Sequence, residues 1–165
     1  MNEAGPRSNG PLIEARGLNK NFGPIPALAG VDLELAGGQV IGLLGENGCG
    51  KTTLLKVLAG GMQDHAGRVR IAGRRLGPET KACVSFLPDA NYLKDSATVS
   101  QCIGMFSDFF SDFRADKASD MIKFFGLAEG MKLKQMSKGM REKAQIALAM
   151  SRDAKVFLLD EPISG

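Results

Sequence analysis

Residues 45–53 read Gly45-Glu46-Asn47-Gly48-Cys49-Gly50-Lys51-Thr52-Thr53, between an apolar run, Val40-Ile41-Gly42-Leu43-Leu44, and a helix-like run, Leu54-Leu55-Lys56-Val57-Leu58-Ala59. A strand, a glycine-rich loop and a helix in that order are what a phosphate-binding loop requires. The glycines let the backbone curl so that successive N–H groups converge on phosphate oxygens. Lys51 is placed to reach the β- and γ-phosphates of a nucleotide, and the Thr52 hydroxyl to ligate Mg²⁺. The helix directs the positive end of its dipole at the same anion. An ordinary surface turn has no need of a Lys-Thr pair at that offset.

The flanking pattern is that of an α/β protein. Leu12 to Arg16 and Leu28 to Leu35 read as strands; in the second, Val31, Leu33 and Leu35 alternate with Asp32 and Glu34. Gly37-Gly38 marks a turn into a buried strand over 40–44. Gly67 to Gly73 is a short alternating strand bounded by glycines, and Ala82 to Leu87 a further apolar strand stopped by Pro88-Asp89. From residue 97 to 152 the period becomes helical. Phe106, Phe109, Phe110 and Phe113 fall at i, i+3, i+4 and i+7, which predicts a helix face packed in the core rather than docked on a partner. Met121, Phe124 and Phe125 repeat the pattern before Gly126. Val156-Phe157-Leu158-Leu159 reads as a second buried strand. Residues 1–11, rich in Gly, Pro, Asn and Ser, read as a mobile lead-in.

With 165 residues, 44% hydrophobic and 24% charged, the chain is long enough for one apolar core and too short for two ordinary domains. A net charge of +3, from 21 basic and 18 acidic residues, is too small to imply nucleic acid or a membrane surface as partner. No apolar stretch approaches the roughly 20 residues that span a bilayer, so a cytoplasmic location is expected. Cys49, Cys83 and Cys102 lack metal-ligand spacing and read as reduced thiols, Cys49 as a small residue filling a tight loop. His65 is the one histidine, so no His-pair metal site can form and no Ser-His-Asp triad can be built around another histidine; it reads as a turn residue.

Asp160-Glu161, at the end of an apolar strand, supplies what a phosphate loop lacks. An acid there holds Mg²⁺ in nucleotide hydrolases, and an adjacent Glu can polarise the attacking water as a general base. Ahead of it, Met136-Ser137-Lys138-Gly139-Met140-Arg141 opens a long helix through Ala149, with Ser137 a good N-cap. At these residues the chain resembles the ATP-binding subunits of ABC transporters. The family signature is Leu-Ser-Gly-Gly-Gln, and Ser137 and Gly139 occupy its second and fourth places. Met136, Lys138 and Met140 depart from it, and the Ser-Lys-Gly-Met form looks like that of exporter ATPases.

The resemblance covers residues 12–165 and implies a P-loop ATPase core with an N-terminal β-subdomain and a helical insertion over 91–140. It implies ATP and Mg²⁺ as ligands. Phe22 would stack on adenine, residues 45–53 hold the phosphates, and Thr52, Asp160 and Asp89 serve the metal. Glu161 would be the base, with Asp89 beside the attacking water where the family usually has Gln. A head-to-tail dimer would close each site with Ser137 and Gly139 of the partner. Membrane permease subunits would hold the protein at the inner face of the cell membrane, with export as the work done. The alternatives are a soluble ABC-type ATPase without a permease, and a nucleotide-binding fragment without turnover. The family continues past Ile163-Ser164-Gly165 with a D-loop, a strand lying between the two apolar strands, and a switch His. The expectation is that this C-terminal part is missing and that the 165 residues alone are inactive.

Overall fold

Alternation of apolar and polar residues, interrupted by glycine bulges, builds the N-terminal half. The structure is a computed structural model and describes residues 10–162. Most of the lead-in expected over 1–11, and residues 163–165 at the expected D-loop, lie outside the described residues. The chain forms two compact units that divide between Thr80 and Lys81.

In the first unit, β1 (Ile13–Phe22), β2 (Ile25–Leu35), β3 (Ala66–Ile71) and β4 (Arg74–Arg75) form an antiparallel sheet in the order β2-β1-β3-β4. Ile13, Ala15 and Leu18 of β1, Leu28 of β2, and Val69 and Ile71 of β3 are buried, as are Leu54, Val57 and Leu58 of α1 (Lys51–Leu58). Each large aliphatic side chain removed from water in this way stabilises by about 1.5–3 kcal/mol. Two-residue turns join the hairpins: Gly23-Pro24, and Ala72-Gly73 with φ of 50° and 76°, the left-handed pair that suits the strand twist.

The first two strands run further than their alternation predicts. Gly17 breaks the period after Arg16, but the structure absorbs it as a bulge, with the register shifting between Ala15 and Leu18. The bulge is tied by Gly17 N–H donating to Asp32 Oδ1 at 2.6 Å. Gly67 passes so close that a Cβ there would run into the carbonyls of Arg16 and Gly17. The expected buried strand over 40–44 is not formed. Val40 and Leu44 are 105% and 93% exposed, and Ile41 and Leu43 are also exposed. An apolar run becomes a buried strand only where neighbouring strands satisfy its edges; among the described residues no strand pairs with 40–44.

The second unit begins as α2 (Pro78–Ala82) ends and contains β5 (Val84–Leu87), α3 (Val99–Phe109), α4 (Ala115–Phe124), a 3-10 turn (Leu133–Gln135), α5 (Lys138–Met150) and β6 (Val156–Leu159). The strand expected from Ala82 starts two residues later because Pro78, at the first helical position, opens a helix that takes in Lys81 and Ala82. β5 and β6 pair in parallel from Val84↔Val156 to Leu87↔Leu159. The core gathers Val99, Cys102, Ile103 and Phe106 of α3, Ala118 and Ile122 of α4, and Ala144, Ala147 and Leu148 of α5. Thr98 and Gln101 close a reciprocal capping box on α3.

The phenylalanine face is broken at one place. α3 ends at Phe109 and Phe110 is extended, so Phe113 joins the cluster from beyond a turn, where it bridges to Arg152. Phe110 and Phe113 lie 5.4 and 5.5 Å from the Phe106 ring, while Phe109 is 77% exposed. The buried stripe runs Val99, Cys102, Ile103, Phe106, and Phe109 falls off its edge. Phe124 is likewise exposed, with Met121 and Phe125 half-buried against the core.

Candidate functional site

The glycine-rich loop in the first unit ends at Gly50, the N-cap of α1, with φ 96°. A Cβ there would collide with the carbonyl oxygen of Ala27 and meet Leu28 Cδ2 at 3.2 Å, so the loop reaches the sheet only through a glycine. Lys51 Nζ folds back over the loop, donating to Gly45 O and Glu46 O at 2.8 Å each, with Cys49 Sγ 3.9 Å away. α1 has no side-chain cap and no acid in its first turn. An ammonium, hydroxyls of Thr52 and Thr53, and the amides of a helix start are donors suited to a polyphosphate. Cys49 is exposed, not enclosed, though its Sγ occupies the space a Gly45 side chain would need. His65 lies half-buried just before β3.

Phe22 sits at the end of the β1–β2 hairpin, paired with Ile25, on the strand whose Ala27 abuts Gly50. It is 48% exposed, and Lys20 Nζ lies 4.9 Å from its ring centroid. Lys20 is buried and paired with Asp64 at 3.0 Å. One ring face therefore carries a cation, leaving stacking surface on the exposed ring.

In the second unit the predicted acids gather at the carboxyl edge of the β5–β6 ladder. Asp160 follows β6 directly, is 3% exposed, and donates its N–H to Leu87 O at 2.9 Å. Asp89 leaves the adjacent end of β5 two residues after Leu87 and is exposed. Glu161 is exposed with φ 46°, a left-handed conformation that costs a non-glycine residue about 1–3 kcal/mol and recurs at functional sites. Hard carboxylate and hydroxyl oxygens such as those of Asp160 and Thr52 fit Mg²⁺ in donor chemistry. Ser137 caps α5, its hydroxyl accepting from Met140 N–H at 3.3 Å, and Gly139 follows in the first turn.

Sequence reasoning missed Arg152. It is 5% exposed and donates Nε and Nη2 to the Asp112 carboxylate at 3.0 Å each, Nη1 to Val84 O at 2.8 Å and Nη2 to Ala82 O at 2.9 Å. Its guanidinium lies 4.2 Å from the Phe110 ring centroid. Gln145 was missed too; its signal is a lone amide on a helix face of Ala144, Ala147 and Leu148, all buried.

A glycine loop at the start of a helix, and an acid pair closing a parallel strand, define the class of the P-loop nucleotide-binding proteins. The sequence profile described as ABC transporter matches residues 28–164, and the chain belongs to that family. It is 32% identical to the Fe(3+) ions import ATP-binding protein FbpC of Mesorhizobium japonicum over 93% of this chain and 45% of that protein. It is 33% identical to the ribose import ATP-binding protein RbsA of Cereibacter sphaeroides over 95% of this chain and 34% of that one. The chain thus spans less than half the length of these relatives. A solved structure described as the ATP binding subunit of an ABC transporter superposes with a TM-score of 0.82 at 26% identity, covering 92% of this chain and 67% of that one. The fold is that of the ABC ATPases. Among the described residues, no helix is long and apolar enough to cross a membrane.

Proposed function

We propose that the protein containing this chain is the ATP-binding subunit of an ABC transporter, hydrolysing ATP to drive export through membrane permease subunits. The observation that carries this reading is the loop at Gly45–Thr53, with Lys51 folded over carbonyls that a triphosphate would displace as acceptors. Lys51 and the α1 amides hold the phosphates, Phe22 stacks on the base, and Thr52 and Asp160 hold Mg²⁺. The bound ion supplies charge neutralisation of the phosphate oxygens. Glu161, with Asp89 beside it, accepts the proton of the attacking water. Ser137 and Gly139, at a helix start, face the nucleotide of a second copy in a head-to-tail dimer.

A groove of 360 Å³ in the second unit, lined by Phe86, Tyr92, Met105 and Phe109 among others, supports a protein partner. Apolar side chains left together at a surface mark contact surfaces. The export direction rests on Ser137-Lys138-Gly139-Met140; import is the second reading, favoured by the relatives, which are import ATP-binding proteins. ATP-driven accumulation of substrate in inside-out vesicles supports export, and ATP-driven depletion supports import.

Glu161→Gln in the intact protein tests the mechanism. The amide keeps the shape but accepts no proton, so ATP binding should persist while turnover falls by about 10²–10⁴-fold. A nucleotide-trapped dimer on size exclusion is the expected sign. Turnover at the wild-type rate would move the base role to Asp89.

A further inference from the structure

α5 carries a polar stripe that its apolar face does not need. Ser137, Arg141 and Gln145 fall at i, i+4 and i+8, one line along the helix from its N-cap. Gln145 is 5% exposed, and a buried amide is costly without a partner. Its partner is Asn91: Gln145 Nε2 donates to Asn91 Oδ1 at 3.1 Å. The same oxygen accepts from Leu93 N–H at 3.1 Å, closing a turn two residues beyond Asp89. One turn back on α5, Arg141 Nη1 donates to Asp95 Oδ1 at 2.9 Å. The rest of that loop is held by its backbone. Leu133 N–H donates to Ala97 O and Lys134 N–H to Asp95 O, both at 2.9 Å, and Leu93 is buried in the core. α5 is also fixed to β5, where Ser85 Oγ donates to Ala149 O at 2.7 Å.

We propose that Gln145 and Arg141 are positioning residues that fasten the loop carrying Asp89 to the helix capped by Ser137. The claim rests on the reading above in giving Asp89 a part in hydrolysis. Neither residue touches the reacting atoms. Asn91 Oδ1 is the junction: it shapes the turn after Asp89 and hands it to α5. The position of Asp89 is thereby tied to the helix start assigned to the partner's nucleotide.

The test uses the intact protein with Gln145→Ala, Asn91→Ala, both together, and Asn91→Asp. Hydrogen exchange over residues 88–93 should quicken about tenfold in Gln145→Ala, the loss of about one hydrogen bond, and further in Asn91→Ala, which also removes the acceptor of Leu93 N–H. The turnover number should fall about tenfold in Gln145→Ala with the KM for ATP unchanged within about twofold, and the double variant should equal Asn91→Ala alone. Asn91→Asp keeps the accepting oxygen for both donors and should stay within about twofold of wild type in both readouts. Arg141→Glu should quicken exchange at 94–97, and adding Asp95→Arg should restore it. Unchanged exchange in Gln145→Ala would overturn the proposal, as would a double variant whose losses multiply, or an Asn91→Asp variant as impaired as Asn91→Ala. Should Lys51→Ala retain wild-type ATP affinity, the assignment of the phosphate loop fails, while exchange at 88–93 still decides the positioning claim.

Discussion

Arg152→Ala removes a buried guanidinium that ties several parts of the second unit together. Four hydrogen bonds end on this guanidinium, two of them on the Asp112 carboxylate. Removing it leaves the carbonyls of Val84 and Ala82 without that donor, and Asp112, 26% exposed, without its counter-ion. Breaking a buried, hydrogen-bonded ion pair from one side costs about 3–5 kcal/mol, because the remaining charge stays desolvated. Asp112 reaches some water, so the lower part of that range applies, about 3 kcal/mol. For a domain of this size each kcal/mol lowers the melting temperature by about 2–4 °C, which gives a drop of about 6–12 °C. Arg152→Lys keeps the charge but not the fork, and should recover less than half of the loss. Scanning calorimetry on the intact protein, with urea titration as a check, reads both. A drop below about 2 °C for Arg152→Ala would refute the account of this cation as the tie between β5 and the turn at Asp112.

Two further outcomes follow from the first unit. Phe22→Ala should weaken ATP by about 5- to 150-fold, the worth of one stacked base, and leave inorganic triphosphate affinity unchanged; calorimetry with both ligands checks it, and equal losses would make Phe22 a packing residue. Cys49, exposed in the loop, should be alkylated by iodoacetamide before Cys102, which is buried and whose thiol burial pushes above its ordinary pKa. ATP should protect Cys49, and peptide mass spectrometry would show whether it does.

The parts of the fold legible in the sequence are those set by neighbouring residues. The helix after the phosphate loop begins at Lys51, Ser137 caps α5, and Val156–Leu159 is β6 as its apolar run predicts. Each depends on a cap, a glycine or a period within a few positions. What failed depends on distant partners. Residues 40–44 have strand composition, yet strand pairing is a contact between segments far apart in sequence, and β1 to β4 close their ladders without them. The Gly17 bulge hid the true length of β1 because Asp32, which ties it, comes from another strand. Nothing in Ser151-Arg152-Asp153 signals the burial of Arg152, whose carboxylate partner Asp112 lies forty residues earlier. For the candidate site, the loop and the acid pair were visible as motifs, whereas the left-handed backbone of Glu161 and the Asn91–Gln145 link required coordinates.

The central claim is that Gly45–Thr53 binds the phosphates of ATP through Lys51. Titration calorimetry of Mg-ATP into the intact wild-type protein and into Lys51→Ala tests it most directly. A charge-assisted hydrogen bond to phosphate contributes about 1.5–3 kcal/mol, so the account predicts saturable binding in the wild type and a loss of at least about tenfold in the variant. Equal affinity in the two proteins, or no binding in the wild type, would contradict it.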